Sequence, residues 1–524
     1  MKTLPTLLFC AIPALGMAAT ASPAATSRPN IVFLLVDDMG WGDPACYGGK
    51  VPTPNIDRVA TEGMRFTDAH TTSAVCTPTR YSIVTGRYNW RSRKKSGVLG
   101  GTSKPLIAPD RATVAGFLGR QGYTSCAIGK WHLGLGWQKL AKPRKAETGP
   151  TKGKGWDIDY SKPVTDGPLT HGFTHDFLYP ASLDMPPYLY LRDDKSVGIP
   201  TVTKAFKTPH RPGPALADFE ADRCLRDFAR EARSFIGGCA EKKEPFFLYL
   251  PLTSPHTPIA PSKNWQGKSG LGEYLDFVME TDWVVGEVLA ELDKRNVADN
   301  TLFVFTSDNG CSPSAHIPDL VKKGHDPCGP WRGNKADIYE GGHRVPFIVR
   351  WPGKVKPGTT CKLTISTVDF FATAADALGK SGDIPSAAAV DSFSILPALL
   401  DPENAKPIRP FLIHHSINGS FGIRKGDWKL CLCPGSGGWS DPRPKKARKD
   451  LKLPPVQLFN LAADPGETKN LAGKNPEIAE NLARLLANAI KSGRTTPGPK
   501  QSNDGWPNTT PKRVVKLYPF LAKP

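Results

Sequence analysis

The chain has 524 residues, 39% of them hydrophobic and 22% charged, which describes an ordinary globular protein with material for two domains and a large core. Its formal net charge of +19 points to an anionic partner. The basic residues gather at Arg91 to Lys95, Lys139 to Lys154 and Lys445 to Lys452 without interleaved aromatics, which sets aside a single-strand nucleic-acid platform. No nucleic-acid partner is expected; polyanionic glycans and plain solvated loops are the readings left for these clusters.

At the N-terminus, Lys2 precedes an apolar run from Leu4 to Met17 and the small residues Ala18 to Ala21, the pattern of an export leader over residues 1–21. The run is too short for a membrane span, and no later segment reaches ~18 apolar residues, so no membrane span is expected. Export to a periplasm or the outside makes disulfides feasible. Cys224/Cys239, Cys311/Cys328 and Cys431/Cys433 are local candidates, with connectivity left open.

Residues 30–36 (NIVFLLV) form a continuous apolar run, which predicts a strand buried on both faces. It ends in Asp37-Asp38. Neighbours on a regular strand point to opposite faces, so these carboxylates can share one cation only where the strand gives way to the loop at Met39-Gly40-Trp41-Gly42. Residues 54–66 read as a helix with Pro in its first turn. In C-T-P-T-R-Y-S-I-V-T-G-R (residues 76–87) Cys76 falls at a helix N-terminus, a place for an anion, with Arg80 on the same face. A helix over 111–121 and a strand over 123–128 follow, the strand ending in Gly129-Lys130-Trp131-His132.

Residues 138–215 are rich in Pro, Gly and Lys and read as a long excursion over a site mouth. It contains Ser182 and an aromatic stretch over 186–191 that suits either a sugar-binding wall or packing. A helix over 215–235 leads to a strand over 245–252 and then to His256. A long helix over 274–294 precedes a strand over 301–306 that stops at Ser307-Asp308-Asn309-Gly310, and Lys335 sits on a loop beyond it. The alternation predicts an α/β fold with a large doubly wound, mixed, mostly parallel sheet flanked by helices. Past about residue 405 the runs shorten, which predicts a smaller C-terminal α+β domain with a short antiparallel sheet over 406–492 and a basic tail over 493–524, after a main domain over 28–405. In doubly wound sheets ligands collect beyond the carboxyl ends of the strands. Four such ends here carry Asp37/Asp38, Lys130/His132, His256 and Asp308/Asn309. Their all-oxygen carboxylate and amide set suits a hard cation, Ca²⁺ before Mg²⁺.

The C-T-P-T-R run followed by V-T-G-R resembles the C-x-P-x-R signature of the type I, formylglycine-dependent sulfatases of the alkaline phosphatase superfamily, and the resemblance extends from Asn30 to about Leu471. It implies a sulfuric ester hydrolase. In that family a separate maturation enzyme converts the Cys to formylglycine, whose hydrated aldehyde is the nucleophile. It also implies one Ca²⁺ held by Asp37, Asp38, Asp308 and Asn309 with residue 76. Arg80 would orient the formylglycine, and Lys130 and Lys335 would contact sulfate. His256 would be the acid for the leaving oxygen, His132 would assist release of sulfate from the enzyme, and Ser182 falls near a sulfate-contacting position. The form of the motif and the N-W-R-S-R run after it resemble bacterial enzymes acting on sulfated galactose or N-acetylgalactosamine. Two other readings compete: a phosphatase or phosphodiesterase of the same superfamily, disfavoured by Cys76 and the single cation site, and a non-catalytic sulfated-glycan binder.

Overall fold

The computed structural model describes residues 28–206, 211–505 and 512–522, together with Met1. The export leader expected over 1–21 lies, Met1 apart, outside the described residues. Four parallel strands form the centre: β1 (Asn30–Asp37), β2 (Thr124–Lys130), β3 (Phe246–Pro255) and β4 (Thr301–Ser307). They lie in the spatial order β4-β1-β3-β2 within a ten-stranded sheet. On the β4 side the sheet continues through antiparallel Phe347–Arg350 to Met64–Phe66 and Thr359–Cys361, and on the β2 side through parallel His175–Tyr179.

The apolar run of β1 explains the layering. Strand alternation sends Ile31, Phe33 and Leu35 to one face, where they join a cluster with residues of α2 (Cys76–Thr85), α3 (Val114–Arg120) and α6 (Phe370–Ala377). Val32, Leu34 and Val36 face the other way, toward α1 (Pro54–Thr61), α4 (Cys224–Lys242) and α5 (Glu273–Lys294). A strand apolar on both faces needs helices on both, and that is the doubly wound arrangement the sequence predicts. A separate four-stranded antiparallel sheet follows: β5 (Leu412–His415), β6 (Phe421–Lys425), β7 (Trp428–Cys431) and β8 (Gln457–Asn460). It packs on α7 (Pro476–Ser492). Among the described residues no helix is long and apolar enough to cross a membrane.

Three expectations change. The helix expected over 54–66 stops at Thr61, because Met64–Phe66 pairs with Phe347–Arg350, and a side chain at Gly63 would meet the Val349 carbonyl at 2.2 Å. The helix expected over 215–235 instead begins at Cys224, after a short strand at Gly213–Ala215. The described cysteines are all free thiols. Cys224 and Cys239 lie in one helix, and at ~1.5 Å rise per residue they are far beyond the ~7 Å Cα limit of a disulfide. Cys311 and Cys328 are buried in the apolar cluster of the helix side, and Cys431 and Cys433 pack with Ile338, Tyr339, Phe459 and Leu461.

Candidate active site

Because β4, β1, β3 and β2 are adjacent and parallel, their carboxyl ends share one edge, and the strand-end residues converge there. β1 loses register against β3 between Leu35 and Asp37, and Asp38 takes φ +68°. That break turns both carboxylates to one side. The turn is fixed by a residue that the sequence reading passed over. Asp43 accepts from the Gly40 N–H at 2.6 Å, from Tyr274 Oη at 2.5 Å and from His325 Nε2 at 2.9 Å. The signal was present as a third acid in D-D-M-G-W-G-D, but two of its three partners, Tyr274 and His325, lie more than 230 residues away and share no motif with it.

Cys76 opens α2, every residue of which is buried. The residue before it, Val75, is extended and offers no side-chain cap, so the first N–H groups of the helix point toward the strand ends. Asp37, Cys76 and Asp308 bring ligand atoms within 4.8 Å of one another, as do Asp37, Asp38 and His256. Arg80 donates from Nε to Asp308 Oδ2 at 2.9 Å and from Nη1 to the Lys130 carbonyl at 2.9 Å. Lys130 donates to Asp37 and, at 2.5 Å, to Ser182 Oγ. Lys335 reaches Asp38 Oδ1 at 2.6 Å, and Asn309 Nδ2 donates to the same oxygen at 2.7 Å. His256 Nε2 lies 3.6 Å from Asp38 Oδ2. All eleven residues singled out from the sequence therefore meet in one buried cluster except His132, which stands one shell behind.

His132 backs Cys76 through Thr77. Its carbonyl accepts from Thr77 Oγ1 at 3.0 Å, and Thr77 Oγ1 accepts from the Leu99 N–H at 3.1 Å. His132 Nε2 donates to the Leu99 carbonyl at 2.7 Å, which leaves Nδ1 as a buried lone pair without a hydrogen-bond partner. The loop carrying Lys335 is braced from the small sheet. The Ala336 N–H donates to the Ala74 carbonyl, Ile417 N–H donates to the Ala336 carbonyl, and Ala336 holds φ +81° between them.

The electrostatics are those of buried charge in low dielectric. Burial raises the Asp37 carboxyl, but Lys130, His256, Arg80 and Lys335 outweigh it and hold it far below the usual range. Asp308 goes the other way, pushed up to about 7 by burial and by Asp37. Burial pushes the Cys76 thiol up, so neither the helix end nor Lys130 makes it a ready thiolate. Burial lowers His256; burial, Lys130 and Arg80 hold His132 well below its ordinary value. Lys335 is pushed above its ordinary value, since burial, which lowers it, is outweighed by Asp38.

The donor set fits a hard cation. Asp37 Oδ1 and Asn309 Oδ1 are buried without a hydrogen-bond partner. With Asp38 and Asp308 they form an all-oxygen set whose crowded negative charge already raises Asp308. Beside these oxygens the cluster offers one thiol, Cys76, and one imidazole, His256.

A family model described as Sulfatase matches residues 29–380. The chain belongs to the sulfatase family. As such it is a sulfuric ester hydrolase, and the phosphatase and pure-binder readings fall behind. This sulfatase is 34% identical to the N-acetylgalactosamine-6-O-sulfatase of Bacteroides thetaiotaomicron over 502 residues, covering 88% of this chain and 93% of that protein. It is 30% identical to human arylsulfatase A, covering 93% and 92%. Among solved structures, one from work on the metabolism of multiple glycosaminoglycans by Bacteroides thetaiotaomicron superimposes with a TM-score of 0.75 at 31% identity, over 88% of this chain and 99% of that one.

Proposed function

We propose that this sulfatase is exported and hydrolyses O-sulfate esters of a sulfated carbohydrate of the galactose or N-acetylgalactosamine type, with Cys76 converted to formylglycine by a separate maturation enzyme and one Ca²⁺ held by Asp37, Asp38, Asp308 and Asn309. We place the catalytic domain over 28–405, the smaller domain over 406–492 and a basic tail over 493–524. The observation that carries the reading is the meeting of Cys76, Asp37 and Asp308 within 4.8 Å at a capless buried helix end, ringed by Arg80, Lys130 and Lys335. The sugar class is supported by the names of relatives, the bacterial N-acetylgalactosamine-6-O-sulfatase and the human N-acetylgalactosamine-6-sulfatase, the latter 30% identical over 90% of this chain.

When present, formylglycine supplies a hydroxyl nucleophile for sulfur and Ca²⁺ supplies positive charge against the sulfuryl oxygens. The rest falls to side chains of this chain. Arg80 fixes Asp308 and the end of β2, so the acidic set stays in place. Lys130 and Lys335 are buried cations whose charge offsets that of a sulfate, and in a water-poor site such fixed charge is the main source of transition-state stabilisation. His256 donates from Nδ1 to the Thr257 carbonyl at 2.5 Å, so Nε2 carries a proton only in the imidazolium. Asp38 and Asp37 favour that form while burial opposes it, and an arriving sulfate adds to the favourable side. His132, with Nε2–H committed to Leu99, presents Nδ1 as a base.

The reading is tested by peptide mass spectrometry of the Cys76 segment from the native host, paired with sulfate release from galactan and chondroitin oligosaccharides and from an aryl sulfate. A formylglycine mass with sulfate released from a carbohydrate is the expected result. Unmodified Cys76 throughout sinks the nucleophile assignment, and release from the aryl ester alone sinks the carbohydrate.

A further inference from the structure

The excursion over 138–215 does not build an aromatic wall. Tyr188, Leu189 and Leu191 are buried, and Tyr188 and Tyr190 pack on Phe206, Phe219, Phe177 and Phe228. What it builds is a cavity of about 620 Å³ against the loop Val98–Thr102, within the range of pockets that bury a small ligand. The inner wall touches the reaction centre on two sides. Leu99 bonds His132 and Thr77, next to Cys76. The Met185 N–H donates to the Ser182 carbonyl, and Ser182 Oγ accepts from Lys130. The inner wall of the cavity therefore adjoins the groups around Cys76.

The walls are fixed. A side chain at Gly101 would meet the Pro186 carbonyl at 2.2 Å, and one at Gly153 would meet the Pro212 carbonyl at 1.7 Å, so four segments pack in two backbone-to-backbone pairs. Trp137 Nε1 donates to the Gly101 carbonyl at 2.8 Å, and Tyr188 Oη donates to the Arg211 carbonyl at 2.7 Å. Among the described residues, the charged groups lining the cavity are Lys154 and Arg211, and no acidic residue is part of the lining. Arg211 is held from behind, Nη1 donating at 2.8 Å to Asp184, a carboxylate 6% exposed whose Oδ1 has no hydrogen-bond partner among the described residues. Its side chain is still 46% exposed. One edge of the guanidinium is thus anchored while the group reaches solvent. Lys154 has no ion-pair partner among the described residues. Lys139, from the same basic run, is tied to Asp157 at 2.8 Å and lies outside the cavity.

We propose that this cavity is a second anion-recognising subsite, in which Arg211 and Lys154 bind a carboxylate or sulfate on the sugar next to the one carrying the scissile sulfate. The proposal rests on the sulfatase reading of the strand-end site. It makes the enzyme selective for polyanionic oligosaccharides, and it assigns one part of the +19 charge to a specific task.

The test compares wild type, Arg211→Gln and Lys154→Ala on four substrates: a small aryl sulfate and three monosulfated disaccharides whose neighbouring sugar is neutral, carries a carboxylate or carries a second sulfate. Wild type is expected to prefer one of the anionic disaccharides, and which one identifies the anion. In Arg211→Gln the kcat/KM on that substrate should fall about tenfold or more beyond any loss on the neutral disaccharide, and in Lys154→Ala about threefold or more. Arg211→Gln leaves Asp184 buried and unbalanced, so if it fails to fold, Lys154→Ala, which breaks no ion pair, decides. Equal losses on all disaccharides, or a wild type indifferent to the neighbouring anion, overturn the subsite. A wild type that releases sulfate from none of the four overturns the sulfatase reading itself, and the subsite with it.

Discussion

Two of the buried clusters of charge among the described residues are finished differently. Between the two sheets, Asp68, His70, Glu340, His343, Arg344, Arg424, Lys429 and Glu467 form a closed network. His70, Glu340 and His343 have ligand atoms close enough together for a metal. Yet the Lys429 ammonium stands among them, 3.0 Å from Glu340 Oε1, 3.2 Å from His343 Nε2 and 2.8 Å from Glu467 Oε1. Arg344 and Arg424 close the other side on Asp68. At the strand ends Lys130, Lys335 and Arg80 also neutralise acids, but Asp37 Oδ1, Asn309 Oδ1 and His132 Nδ1 stay without hydrogen-bond partners. Buried polar groups are normally satisfied, and each exception calls for a reason. The first cluster joins two sheets; the second leaves atoms free for the cation and substrate of the proposed function.

The largest effect that separates them is chemical. Cys76→Ala should lower sulfate release by ~10³-fold or more while leaving the melting curve close to wild type, since one small buried side chain replaces another. Inorganic sulfate measured by ion chromatography, beside a thermal melt, checks both halves, and activity retained within tenfold would remove Cys76 from the chemistry. Chelation comes next. Stripping the cation should abolish turnover, and Ca²⁺ restored to ~100 times its Kd should add ~2.7 kcal/mol of stability. A melt that does not respond to Ca²⁺ would sever the acidic set from metal binding.

The two clusters also differ in how far the sequence disclosed them. The strand ends were legible because each carries its polar residues immediately after an apolar run, and a doubly wound sheet brings such ends together whatever lies between. The sequence alone calls for a break in the strand at Asp37 and Asp38, and Asp38 takes φ +68° there. The closed network was not legible. Its members come from Asp68 and His70, the 340–344 turn, β6, β7 and a loop at Glu467, joined by no spacing rule. The cysteine pairs failed for a related reason. Proximity in sequence suggested Cys224/Cys239, whereas helix geometry, a property of the intervening residues, forbids it. The helix expected over 54–66 lost its last turn to sheet pairing, a tertiary demand that local periodicity does not register.

Breaking the closed network should damage stability without touching chemistry. Lys429→Ala leaves Glu340 and Glu467 facing one another without their common cation, which should cost ~3–5 kcal/mol in denaturant unfolding. The enzyme that remains folded should keep its KM. A cost under ~1 kcal/mol would mean that Arg344 and Arg424 suffice to hold the acids.

A third, smaller site sharpens the comparison, because among the described residues its acids pair with no lysine or arginine, only with His175. Asp176, in the strand His175–Tyr179, is pushed up to about 7 by burial and by Asp194 and Asp193, against the N–H bonds it accepts. In the unfolded chain the same carboxyl titrates near ~4. A folded pKa above the unfolded one means that the native state holds this proton more tightly. Its contribution is therefore whole below pH ~4, is lost as pH climbs from there to about 7, and stays lost above. Asp176→Asn mimics the protonated form at every pH, so its gain over wild type should grow across that window to an order of ~2–4 kcal/mol by pH 8 and vanish at pH 4. Urea unfolding at pH 4, 6 and 8 measures it. A gain that does not change with pH would place the effect in packing, and no gain at all would show that Asp193 and Asp194 move aside when Asp176 ionises.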